Sequence, residues 1–152
     1  MYHQMNDHGR IYHEFSQVPA NRYLGFRLIS HSAQEAVVEM EVSSDHVQET
    51  GVVHGGLLGA LADTTAVYVF LPYLADDQSM AGVEFKMSFL RPATPDRGPL
   101  AARATLLRRG RRVGVCEVEL TQANSVVAKG LFTYLFTEQR EWHDEASKPP
   151  SS

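Results

Sequence analysis

The residues able to do chemistry crowd into one stretch, 46–63, where Gln48, His54, the pair Gly55-Gly56 and Asp63 follow one another. Asp63 is the anomaly. It stands in a run of Leu, Ala, Gly and Val that reads as helix, and an ionised carboxylate is seldom buried there without compensation. Its neighbours one turn away, Gly59, Ala60 and Ala66, are small, so this flank is the expected approach for a ligand. A glycine pair at a helix start leaves N–H donors pointing along the axis at the positive end of the helix dipole, where an anion or a developing oxyanion can sit. The same glycines also serve a tight turn and close packing. Along one helix, Gly55 and Asp63 are separated by on the order of 12 Å. One carbonyl cannot touch both from the same chain, so joint action on one bond requires two subunits. The partner of Asp63 is then expected to be a substrate carbonyl held by the neighbouring copy.

Composition narrows the classes. The 152 residues suit one domain, 1–152, with a folded part over about 15–137, a segment 1–14 that frays or forms a loose first helix, and a polar tail at 138–152. A single cysteine, Cys116, cannot form an intrachain disulfide, which fits a reducing compartment such as the cytoplasm. The N-terminus has no apolar run, and the greasiest segment, 57–74, carries Asp63, is broken by Pro72 and falls short of the roughly 20 residues of a bilayer span. No membrane crossing is expected. A formal net charge of −4 argues against broad attraction to nucleic acid. Four of the fourteen Lys and Arg nonetheless gather in Arg108-Arg109-Gly110-Arg111-Arg112. His3, His8 and His13 recur every five residues, which spreads them around a helix, and no metal site is expected from them.

The elements that must position this chemistry emerge from periodicity. Leu24, Phe26 and Leu28, then Ala36, Val38, Met40 and Val42, alternate as two strands around a polar turn at 31–34. A helix apolar on all sides runs over about 55–71 and ends at Pro72. Four more strands come after it. In the first, Val83, Phe85, Met87 and Phe89 alternate with Gly82, Glu84, Lys86 and Ser88. The second spans 100–106 and the third 113–120, with a bulge expected beside Gly114 where the apolar parity switches. The fourth, 126–136, puts Ala128, Phe132, Tyr134 and Phe136 on one face. The class is α+β, an antiparallel sheet of five or six strands around one long helix. A sheet of this length leaves an edge that a second copy can cover.

Gln48, Gly51, His54-Gly55-Gly56 and Asp63, together with the run over 83–93 that ends Phe-Leu-Arg-Pro-Ala, resemble the hotdog-fold acyl-CoA thioesterases of the phenylacetate-pathway, PaaI-like type. The resemblance spans residues 23–136. It implies a curved sheet wrapping the central helix, a homodimer that completes the site and a dimer of dimers. It implies hydrolysis of an acyl-CoA without a cofactor, coenzyme A being part of the substrate. Asp63 would act as nucleophile or general base, the partner's Gly55 N–H would polarise the thioester carbonyl, and Gln48 would orient substrate or water. His54 is either an auxiliary hydrogen-bonding group or a structural one. Gly56, Gly82, Glu84, Arg91 and the cluster Arg108, Arg109, Gly110, Arg111 and Arg112 would contact coenzyme A. The chain departs from the pattern in having Gln where many relatives have Asn. It also lacks the water-orienting hydroxyl at both Gly82 and Val67, leaving Thr64, Thr65 or direct attack by Asp63. The competing readings are a silent acyl-CoA sensor or scaffold and, lower, a hotdog hydratase.

Overall fold

The alternation that starts at Phe26 becomes, in a computed structural model that describes residues 7–138, a sheet of six antiparallel strands. They are β1 (Phe26–His31), β2 (Glu35–Met40), β3 (Gln78–Phe89), β4 (Leu100–Arg109), β5 (Val113–Gln122) and β6 (Ser125–Glu138), in the order β1-β2-β4-β5-β6-β3. One long helix, α3 (Gly55–Phe70), lies across the sheet and ends in a 3-10 turn at Leu71–Tyr73 that contains Pro72. The wrapped-helix architecture expected from the alternation is present.

Small residues let the helix approach. Ala36 on β2 and Ala102 and Ala104 on β4 are fully buried and leave room for Leu61, Ala62, Ala66 and Val69 of α3. Burying such side chains contributes roughly 1.5–3 kcal/mol for each Val or Leu. The segment Gly55–Tyr73 is long and apolar enough to pass for a membrane span by length and composition, yet half of it is buried inside the fold, as a core helix is.

Three points decide between the expectations or correct them. Residues 7–14 take the helical alternative, as part of α1 (Asp7–Gln17), which leads into α2 (Pro19–Leu24). Ile11 and Phe15 stand four residues apart on one face, and Phe15 packs on Tyr68 of α3 with ring centroids 4.8 Å apart. The bulge expected at Gly114 sits instead on the facing strand. On β5 the alternation is unbroken, with Gly114, Cys116, Val118, Leu120 and Gln122 all inward, whereas on β4 the register skips Leu107, which is 54% exposed. Val113 and Val115 misled the parity because valine favours strands on either face.

The third point bears on the site. The register of β3 on β6 skips Val83, which is 60% exposed, so Gly82 shares the inner face with Phe85 and Phe89 and stands opposite Tyr134. One extra residue reverses the facing of every later side chain in the strand. Of the expected tails, 139–152 and His3 lie outside the described residues.

Candidate active site

The start of α3 is built by its own sequence. His54 caps the helix, its Nδ1 accepting from the Gly56 N–H at 2.9 Å, while its carbonyl accepts from the N–H groups of Leu57 and Leu58. An accepting Nδ1 places the proton of the neutral imidazole on Nε2. With the His54 N–H donating to the His46 carbonyl at 2.9 Å, three of the four orphan donors at the helix start, those of His54, Gly56 and Leu57, are satisfied. Among the described residues the Gly55 N–H has no hydrogen-bond partner. It is the donor a charged or polarised oxygen would use.

Two turns further on, Asp63 is half-buried and does have a partner in its own chain. The phenol of Tyr134, rising from β6, donates to its Oδ1 and also lies 3.1 Å from its backbone carbonyl. This corrects the expectation that only a substrate compensates the carboxylate. Burial, and then the hydrogen bond to Asp63 and its negative charge, push the Tyr134 phenol above its ordinary range. The thiol of Cys116, buried nearby on β5, is pushed up to about 12 by burial and then by the same charge. Both groups therefore remain protonated neighbours of one carboxylate. Of the two threonines expected to supply a hydroxyl, Thr65 is fully buried and donates to the Leu61 carbonyl at 2.6 Å.

His54, Gly55, Gly56, Gly59, Ala60 and Asp63 line a groove of about 440 Å³ whose far wall is Phe85 and Phe89 of β3. A Cβ at Gly55 would come within 3.3 Å of the Phe89 ring and one at Gly59 within 3.6 Å of Phe85, so the glycines are what keep the groove floor low. Ala66, expected on this flank, is fully buried and faces the core instead. Beyond Phe89 a second groove of about 370 Å³ brings Gln48 and Gly55 together with Arg91, Pro92 and Ala93. The loop is pinned there by the Val53 N–H on the Ala93 carbonyl at 2.8 Å. Gln48 is turned back on its own loop, donating to Thr50 Oγ1 at 2.8 Å, and the Arg91 guanidinium donates to the Val126 carbonyl at 2.9 Å.

Residues 50–129, the span from the helix start to the last strand, match the family model described as "Thioesterase superfamily". The chain belongs to that superfamily. A protein of Pasteurella multocida that carries the name of an esterase is 30% identical over 69% of this chain and 74% of its own length. Acyl-coenzyme A thioesterase 13 of Mus musculus is 24% identical over 70% of this chain and 76% of its own. In three dimensions, a phenylacetic acid degradation-related protein of Ralstonia eutropha JMP134 superposes with a TM-score of 0.76 at 31% identity, covering 86% of this chain and 99% of the other. The fold is the hotdog of this superfamily and of its PaaI-like members.

Within this thioesterase fold the basic cluster lies far from Gly55. Arg109 donates to the Tyr73 carbonyl at 2.8 Å, just past the C-terminal end of α3, and the helix of 16 residues is about 24 Å long. Arg109 is a structural residue here: its guanidinium also lies 4.2 Å from the centroid of the Phe136 ring and bonds the Gly110 carbonyl. Arg108, Arg111 and Arg112 are exposed and, among the described residues, have no ion-pair partner. Gly82 and Glu84 are exposed on β3 between the two ends. The residues expected to hold coenzyme A are thus spread along the molecule, Gly56 and Arg91 towards the start of α3, the cluster towards its end, and Gly82 and Glu84 between.

Proposed function

We propose that this chain hydrolyses an acyl-CoA thioester to a carboxylate and free coenzyme A, using Asp63 and the Gly55 N–H of a partner copy. The observation that carries the reading is the unpaired Gly55 N–H sharing a groove with the Asp63 carboxylate. The donor supplies what a tetrahedral oxyanion needs, and the carboxylate supplies the nucleophile or the base for a water. The C–S bond then breaks and coenzyme A leaves as a thiolate, which takes up the proton removed from water; on the nucleophilic route a water afterwards hydrolyses the acyl–Asp63 anhydride to the carboxylate and restores Asp63. No cofactor is required for these steps. The groove, walled by Phe85 and Phe89, suits an apolar acyl group.

The case for a second copy rests on β3. It is an edge strand of twelve residues, and Val83, Phe85 and Phe89 on it are each more than half exposed. A long apolar edge invites pairing with its own kind. Gly55 lies at the level of Phe89, whereas Asp63 reaches the level of Gly82 through Tyr134. A two-fold axis through the middle of β3 reverses these ends, moving the partner's Gly55 towards Asp63 and the partner's Arg91 towards the Arg108–112 hairpin. Pairing of such dimers into tetramers completes the reading, and the single buried Cys116 fits a reducing cytoplasm.

A thiol-release assay over short, long and aryl acyl-CoAs tests the activity. Release from some member supports hydrolysis, whereas tight binding of several with no thiol from any means a sensor. Gly55→Pro tests the donor. Proline is tolerated at the first helical position, and His54 already has the extended backbone (ψ 129°) that precedes proline. The variant is expected to fold and to lose turnover by at least the roughly hundredfold that removing one oxyanion donor costs, since its ring also narrows the groove beside Phe89. Undiminished turnover in a folded Gly55→Pro protein removes that N–H from the mechanism. For the nucleotide, replacing Arg108, Arg111 and Arg112 together by Ala is expected to raise KM for coenzyme A esters several-fold with kcat held, since such exposed cations bind phosphate without touching the reacting bond. A KM equal to that of the wild type takes the cluster out of the site.

A further inference from the structure

We infer that Tyr134 is a positioning residue for Asp63: its phenol, laid across Gly82, holds Oδ1 and leaves Oδ2 to act in the groove. The inference rests on the thioesterase reading above and deepens it.

Three observations meet at this side chain. Tyr134 is almost fully buried, and its hydroxyl donates to Asp63 Oδ1 while standing 3.1 Å from the carbonyl of the same residue. Among the described residues Oδ2 has no hydrogen-bond partner, and Asp63 lines the groove. The ring itself is located from three sides. Phe70 of α3 packs on it with centroids 5.4 Å apart, Gly114 of β5 is its neighbour across the ladder, and Gly82 of β3 stands opposite on the other side. A Cβ at Gly82 would sit 3.7 Å from the ring edge. The bulge at Val83 turns Gly82 inward, so the hydroxyl that the chain lacks at Gly82 arrives across it from the facing strand.

A carboxylate with one oxygen tied down presents the other in one orientation, which is what attack on a carbonyl or proton abstraction needs. A lone Asp on a helix would sample several rotamers, some turned away from the groove. The groups facing Asp63 are Tyr134 from β6 and Cys116 from β5, with His54 on the same groove two turns back along α3.

Tyr134→Phe removes the hydroxyl and keeps the ring. Thiol release by the full chain is expected to fall on the order of tenfold in kcat with KM nearly unchanged. A merely structural role would show as lost stability or weaker binding and would leave kcat of the folded protein where it was. Asp63→Asn is assayed beside it. If Asp63→Asn is inactive while Tyr134→Phe matches wild type in kcat and KM, the role of Tyr134 is wrong and the thioesterase reading stands. If Asp63→Asn is fully active, the thioesterase assignment of Asp63 fails first. Should Tyr134→Phe not fold, the 13Cζ resonance of Tyr134 in tyrosine-labelled wild type reports directly. A resonance displaced in Asp63→Ala relative to wild type supports the contact, and an identical resonance in the two overturns it.

Discussion

Asp63→Asn is expected to lower thioester turnover by roughly two to four orders of magnitude, the range of a positioned acid or base, with KM and thermal stability close to wild type. The substitution keeps the shape of the side chain and leaves an amide oxygen for the Tyr134 hydroxyl to meet, so the contact from β6 to α3 survives. What disappears is the negative charge and the basicity of the oxygen facing the groove. Groove walls, the Gly55 N–H and the exposed arginines are untouched, which is why binding should hold while chemistry stops. Purified enzyme assayed for thiol release under saturating acyl-CoA, with a melt as control, decides it. Turnover within a few-fold of wild type in a folded protein would falsify any chemical role for Asp63, and a raised KM with normal kcat would make it a binding residue instead.

Period-two alternation and Pro72 made the fold legible, because a half-buried antiparallel strand and a buried helix impose patterns that single residues cannot hide. What the alternation could not carry was bulge position. A bulge adds one residue to one strand only, and the residue added, Leu107 on β4 or Val83 on β3, is apolar and therefore looks like a member of the pattern it interrupts. The amino-terminal helix was legible only as an alternative to a frayed tail. Among the described residues it packs Ile11 and Phe15 on the core, too few to establish a period against polar surroundings.

The site divides along similar lines. Spacing identified His54, Gly55 and Asp63 because they lie on one helix, where geometry comes from counting. Tyr134 is 71 residues away on another element, so no local pattern links it to Asp63. A signal was present all the same: a buried tyrosine among Ala128, Phe132 and Phe136 needs a partner for its hydroxyl, and Asp63 needed a donor. Complementary unmet demands on two inward faces are the sequence trace of such a bond. Arg109 shows the converse, since charge clustering grouped it with its neighbours while its contacts with Tyr73 and Phe136 separate it from them.

Phe70→Ala is expected to lower stability by about 3–5 kcal/mol, the range for deleting a buried phenylalanine. That is a large part of the roughly 5–15 kcal/mol that holds a domain folded. Phe70 is fully buried at the end of α3, 5.6 Å between centroids from Phe136 and 5.4 Å from Tyr134. Facing it on β5 is Gly114, where a Cβ would come within 2.5 Å of the Phe70 ring; the strand leaves its side chain out so that the helix can insert one. The space vacated by Phe70→Ala therefore has no neighbour on β5 able to fill it, and a cavity that cannot collapse puts the loss towards the upper end of the range. The wall it removes is also the support of the Tyr134 ring. Urea denaturation should show the fall in midpoint, and activity in the still-folded fraction should drop further than Tyr134→Phe alone predicts if the ring leans into the void. A variant that unfolds early yet retains full turnover while folded would mean that β3 and β6 hold the phenol without help from the helix.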